Sequence, residues 1–187
     1  MSTFPDIYET VDNITETGIQ YFFVSEGESD IIKAVQYAYV LDFQGMRVYN
    51  LGFGDYDPDT DSISDDLTTN NGDPYKVFHT VLSTIPQFFT TYEDAMMMVW
   101  GSDSKQAFQD NCHLSCKKKC RPTECKNAHR RINIYRSYVD KNFDGLTKEY
   151  KFYGGSVEIE NQILIEDYIK GKQYTSVLLR KNLNFIR

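Results

Sequence analysis

Cys112, Cys116, Cys120 and Cys125 lie within fourteen residues of one another, in the run CHLSCKKKCRPTECKNAH at 112–129. Four thiolates at that density can close a tetrahedral Zn²⁺ site, and His113 and His129 stand alongside as substitute ligands. The gaps of three, three and four residues are not those of a common zinc finger, whose close pairs are separated by a long stretch. On a helix, Cys112, Cys116 and Cys120 would share one face, with Cys125 reached after the break at Pro122. An iron–sulfur cluster also accepts four thiolates and is the second reading; two local disulfides or uncoordinated thiols are the third. The run is nearly devoid of apolar residues, so metal ligation is what would order it.

This run holds Lys117, Lys118, Lys119, Arg121 and Lys126, with Arg130 and Arg131 directly after it, against one acid, Glu124. Part of that charge would offset the negative charge of a four-thiolate zinc centre. The remainder is a compact basic surface suited to phosphates, so nucleic acid or an acidic protein is the implied partner. Between Phe108 and Tyr135 there is no aromatic residue, which argues against base stacking on this segment. The plainer alternative is a solvated, solubilising loop.

A second group is acidic. Asp55, Asp57, Asp59 and Asp61 alternate, and Asp65 and Asp66 follow. The spacing matches the opening oxygens of a calcium loop, but Thr60 occupies the place of the central glycine and Asp66 that of the bidentate glutamate. Alternatively Asp65, Asp66 and Asp73 could hold a divalent ion while Lys76 meets a phosphate, with His79 nearby, which would make a small metal-dependent enzyme. Asp73 also reads as the N-cap of a helix opened by Pro74, and a histidine within an apolar helix is more often structural.

These residues need elements to position them. The short apolar run 19–25 reads as a first strand, 31–43 as a second, and Gln44–Gly45 as a hairpin turn into a third over 46–53. Residues 54–66 read as a loop broken by Pro58. A helix follows from Pro74 toward Phe89, shortened or kinked by Pro86. Residues 95–100 form an apolar strand, 130–143 a helix, and 148–153 and 174–180 further strands; 156–170 reads either way. The expected fold is α+β, a mainly antiparallel sheet packed against two or three helices, as a single domain with a small cysteine-rich insertion at about 104–129.

Charge is unevenly divided. Residues 1–102 carry 3 basic and 17 acidic side chains, a balance of −14, and residues 103–187 carry 17 and 10, a balance of +7. No apolar run approaches the roughly 20 residues of a spanning helix. The N-terminal residues carry Asp6 and no basic flank, unlike a secretory signal. Clustered cysteines in such a chain fit a reducing compartment, and the cytoplasm is the expected location.

Several motifs taken together, FFVSEG at 22–27, NLGFGD at 50–55, DD at 65–66, NNGDPYKVFHTV at 70–81, WGSD at 100–103 and RRINIY at 130–135, resemble an uncharacterised bacterial domain family found mostly in Bacteroidetes. The resemblance spans roughly 20–181 and implies a compact cytoplasmic protein with no transferable activity. It also implies that the stretch from Cys112 to Cys125 interrupts a finished scaffold between Gly101–Ser102 and the Arg131–Tyr135 segment. By the same resemblance Asn70, Asn71, Asp73, Lys76, Arg131 and Tyr135 are the residues to test for catalysis.

Overall fold

A computed structural model describes residues 6–64, 71–101, 103, 106–115, 120, 125–157 and 163–182. The chain divides into two compact units, Met1–Ala95 and Met96–Arg187.

The first unit is an antiparallel meander under one helix. Strands β1 (Val11–Thr15), β2 (Gly18–Ser25), β3 (Ile31–Phe43) and β4 (Met46–Asp57) pair in sequence order, and the short β5 (Ser62–Ser64) pairs back onto β4. β1 lies at the open edge of this meander. The alternation expected for 31–43 produces β3, and Gln44 and Gly45 take positive φ values of 51° and 76° in the turn to β4. Two-residue hairpins need such values, because they match the right-handed twist of the strands.

Three expectations change here. A strand precedes 19–25: β1 has four exposed residues out of five, so it lacks the apolar signal that marks a buried strand. Residues 54–57 continue β4, and β5 follows the turn, so the stretch 54–66 is not one loop. Pro86 does not shorten helix α1 (Pro74–Thr91), which runs through it.

Helix α1 covers one face of the meander. Its Phe88 ring stacks on Tyr37 at 4.4 Å and meets Tyr49 edge-on at 5.5 Å, while Thr84 shares a 2.8 Å hydrogen bond with the Tyr37 hydroxyl. Ile19, Tyr21, Phe23, Val35, Tyr37, Leu51, Phe88 and Phe89 are all buried. This aromatic core fits the composition, since rings suit the half-buried surface of a pleated sheet.

In the second unit β6 (Met96–Trp100) pairs with β9 (Ser176–Lys181), β9 with β7 (Tyr150–Val157) and β7 with β8 (Ile163–Asp167), all antiparallel. Helices α2 (Gln106–Ser115) and α3 (Arg130–Leu146) belong to this unit, and α3 packs on β6 and β9. The stretch 156–170, ambiguous in sequence, contains β8. The fold is therefore α+β, with antiparallel sheet and, among the described residues, three helices. Among the described residues no helix is long and apolar enough to cross a membrane.

Candidate metal centre

Helix α2 carries Cys112, and Cys120 is not helical, so it does not continue that helical face. Cys116 lies outside the described residues. Cys125 is buried and Cys112 and Cys120 are half-buried. Burial pushes the Cys125 thiol up. Hydrogen bonds from the Asn127 backbone, the Cys112 thiol, the Ala128 backbone and the Cys120 thiol outweigh it, so the net direction is down. Cys112 and Cys120 are thus the cysteines that act on the Cys125 thiol. Two further donors face them: the Lys126 backbone N–H donates to Cys120 Sγ at 3.2 Å, and Asn127 Nδ2 donates to Cys112 Sγ at 3.2 Å. N–H groups aimed at sulfur favour thiolate over thiol, which is the form that ligates a metal.

The turn that follows is fastened to the rest of the unit by Asp103. Asp103 is buried; its backbone carbonyl accepts the His129 N–H at 3.3 Å and its Oδ2 accepts the Arg131 N–H at 2.9 Å. His129 itself sits at the N-cap of α3 in the left-handed conformation and makes no side-chain cap. Asp103, from 26 residues upstream in the sequence, supplies the negative charge that a helix N-terminus favours. The sequence offered no local signal for this, because the capping residue is remote from the helix it caps.

Of the other residues singled out by sequence, His113 is half-buried on α2, and His129, Lys126 and Arg130 are exposed. Lys117, Lys118, Lys119 and Arg121 lie outside the described residues. Arg131 and Tyr135 come together on α3: burial raises the Tyr135 hydroxyl and the nearby Arg131 charge lowers it, with burial dominant.

Asp65, Asp66 and Asn70 lie outside the described residues. Asp55 belongs to β4 and forms a buried ion pair with Lys33 of β3, its cross-strand partner. Asp57 accepts from the Asp59 N–H and the Thr60 hydroxyl, both at 2.9 Å, and Asp61 accepts from the Tyr56 hydroxyl at 2.9 Å. These bonds shape the β4–β5 turn.

Asp73 is the hub of a polar cluster at the head of α1. Its Oδ2 accepts from the Tyr8 hydroxyl at 2.8 Å and the Ser25 hydroxyl at 2.7 Å. Asn71 Nδ2 reaches the Ser25 hydroxyl at 3.0 Å and the carbonyls of Ser25 and Ser29 at 3.1 and 3.0 Å. A Cβ on Gly27 would fall 2.4 Å from the Asn71 side chain, so the 25–29 turn closes directly on it. Burial raises the Asp73 carboxyl, but the Ser25 and Tyr8 hydroxyls, its own backbone and the Lys33 charge pull it below the ordinary range. Asp73 begins α1 without capping it, because its carboxylate is turned to Tyr8 and Ser25. Lys76 places its ammonium 4.0 Å from the centroid of the Tyr8 ring and 3.4 Å from Asp6 Oδ1. His79 is half-buried beside Phe78. Ser25 is fully buried, and the cluster binds the 71–73 segment to β2.

No curated protein and no solved structure matches the chain. A family model described as a family of unknown function (DUF6934) matches residues 6–108. That span takes in the Asp73 cluster and the whole of the first unit's sheet, and it stops short of Cys112. With more than half of its length matched, the chain belongs to this family of unknown function.

Proposed function

We propose that the chain is a non-enzymatic binding protein in which one Zn²⁺ orders the cysteine segment so that its basic side chains contact nucleic acid. Cys112, Cys116, Cys120 and Cys125 would hold the ion, with His113 or His129 as a substitute ligand. Lys117, Lys118, Lys119, Arg121, Lys126 and Arg130 would meet phosphates. The observation that supports this reading is the pair of N–H donors, from the Lys126 backbone and the Asn127 side chain, aimed at the Cys120 and Cys112 sulfurs beside the buried Cys125. A Zn²⁺ ion would supply the cohesion that a segment poor in apolar residues cannot. The family match ends at residue 108, before the cluster. A reducing bacterial cytoplasm suits thiolates in this role.

The test joins elemental mass spectrometry of protein purified without added metal to binding of a fluorescent single-stranded oligonucleotide. About one zinc per chain is expected, with thiols that react only after chelation. Binding should fall with salt at a log–log slope of about −4 if six cations each meet a phosphate, and should be lost on chelation. Iron in place of zinc would move the centre to an iron–sulfur cluster. Zinc without oligonucleotide binding would leave an acidic protein as the partner.

A further inference from the structure

The first 102 residues contain only three cations, Lys33, Arg47 and Lys76. Lys33 is paired with Asp55 and Lys76 with Asp6. Arg47 is different: among the described residues it has no carboxylate at ion-pair distance, although acids outnumber bases almost six to one in this half. It lines a recess of about 360 Å³ in the first unit, together with Glu16, Tyr39, Asp42, Tyr49 and Tyr92. Glu16 and Asp42 are likewise outside every described ion pair.

The elements build this recess for definite reasons. The register of β3 on β4 shifts between Tyr39 and Leu41, which leaves Tyr39 exposed beside Tyr49 at a ring distance of 6.1 Å. Tyr92 closes the end of α1 and lies 4.8 Å from Tyr49. Gly18 lets β2 pass close beneath, since a Cβ there would fall 1.8 Å from the Tyr37 carbonyl oxygen. The Arg47 guanidinium stands 6.0 Å from the Tyr39 ring centroid. Its pKa is raised first by the Tyr49 hydroxyl and further by Asp42 and Tyr39, so the cation is held among these groups.

We infer that this recess binds a small zwitterion, a free amino acid with an aromatic side chain, through Arg47, the Glu16 and Asp42 carboxylates, and the tyrosine walls. Arg47 offers a planar fork of donors that suits a carboxylate. Glu16 and Asp42 suit an ammonium group, and Tyr39, Tyr49 and Tyr92 suit a ring. With two carboxylates against one guanidinium, the lining disfavours polyanions such as nucleotides. The volume falls at the small end of ligand pockets, which run from roughly 300 to 1,000 Å³, and matches a molecule of amino-acid size.

L-phenylalanine is the probe, titrated into the full chain at up to about 10 mM and followed by saturation-transfer NMR, within the range where millimolar affinity is measurable. Binding is expected. 3-Phenylpropionate, which lacks the amine, and 2-phenylethylamine, which lacks the carboxylate, should each bind about tenfold or more weakly. Arg47→Met should weaken phenylalanine by a similar factor and leave phenylethylamine unchanged, while the double change Glu16→Gln with Asp42→Asn should weaken both phenylalanine and phenylethylamine and leave 3-phenylpropionate unchanged. Those three residues are exposed, and circular dichroism of each variant checks the fold. No saturation by phenylalanine, equal binding of all three probes, or tighter binding of a nucleotide would overturn the inference.

Discussion

Replacing Lys33 with Met should destabilise the first unit severely, and the reason is the position of its partner. The side chains of Lys33 and Asp55 are 5% and 11% exposed, and they face each other across β3 and β4 on the side covered by α1. Removing the ammonium leaves the Asp55 carboxylate with little water and no counter-charge. Breaking a buried pair from one side costs about 3–5 kcal/mol, a large share of the roughly 5–15 kcal/mol that holds a domain folded. Lys33 also helps to lower the Asp73 carboxyl, so the loss reaches the cluster at the head of α1. Urea denaturation of the full chain, read by circular dichroism, measures the cost. The double variant Lys33→Met with Asp55→Leu should recover most of it, because two apolar side chains of similar size can replace a buried pair at little or no net cost. A gap below about 1 kcal/mol would mean the pair behaves as a solvated surface bridge, and the reasoning would be wrong.

Other outcomes follow from the same contacts. Asp73 has a folded pKa below its unfolded value, so its contribution is full above the ordinary carboxylate range and is lost as pH falls through the folded value; acid unfolding monitored at 222 nm should begin at a higher pH once Ser25→Ala removes one donor. Gly154→Ala should cost about 1–3 kcal/mol in a melting experiment, because its Cβ would lie 2.2 Å from the Tyr174 ring, whose hydroxyl is held by Glu166 and the Ile169 N–H. Cys125→Ser should abolish zinc retention after dialysis against a weak chelator, and Asp103→Ala should lower the melting temperature by removing the charge at the head of α3. Retained zinc in the first variant would remove Cys125 from the ligand set.

Periodicity in the sequence was enough to locate β3, the Gln44–Gly45 hairpin, β6 and both long helices. What it missed has physical causes. β1 is an exposed edge strand whose pairing rests on backbone bonds, and alternating burial is the only signal a strand prints. Pro86 removes one helical hydrogen bond, yet Phe88 and Phe89 beyond it are fully buried. The packing of those two rings offsets a local loss that no local rule weighs. Asp73 had the right residue type for a cap and the right position, but Tyr8 and Ser25 compete for the same carboxylate from 65 and 48 residues away. The candidate sites were legible to the same degree. The cysteine spacing drew attention to Cys112, Cys120 and Cys125 directly. The recess around Arg47 draws on four separate segments, and its only trace in the sequence is the scarcity of cations in the acidic half.

That edge strand has a consequence for how the protein behaves in bulk. Val11 and Ile14 of β1 are 68% and 65% exposed at the open margin of the first meander, where another chain could add a strand of its own. Glu9, Asp12 and Glu16 are interspersed with them, all exposed. At neutral pH two approaching copies bring these charges face to face and repel each other. As the net charge falls toward zero near the isoelectric point of about 5, the repulsion between copies fades, and concentrated solutions should turn cloudy there.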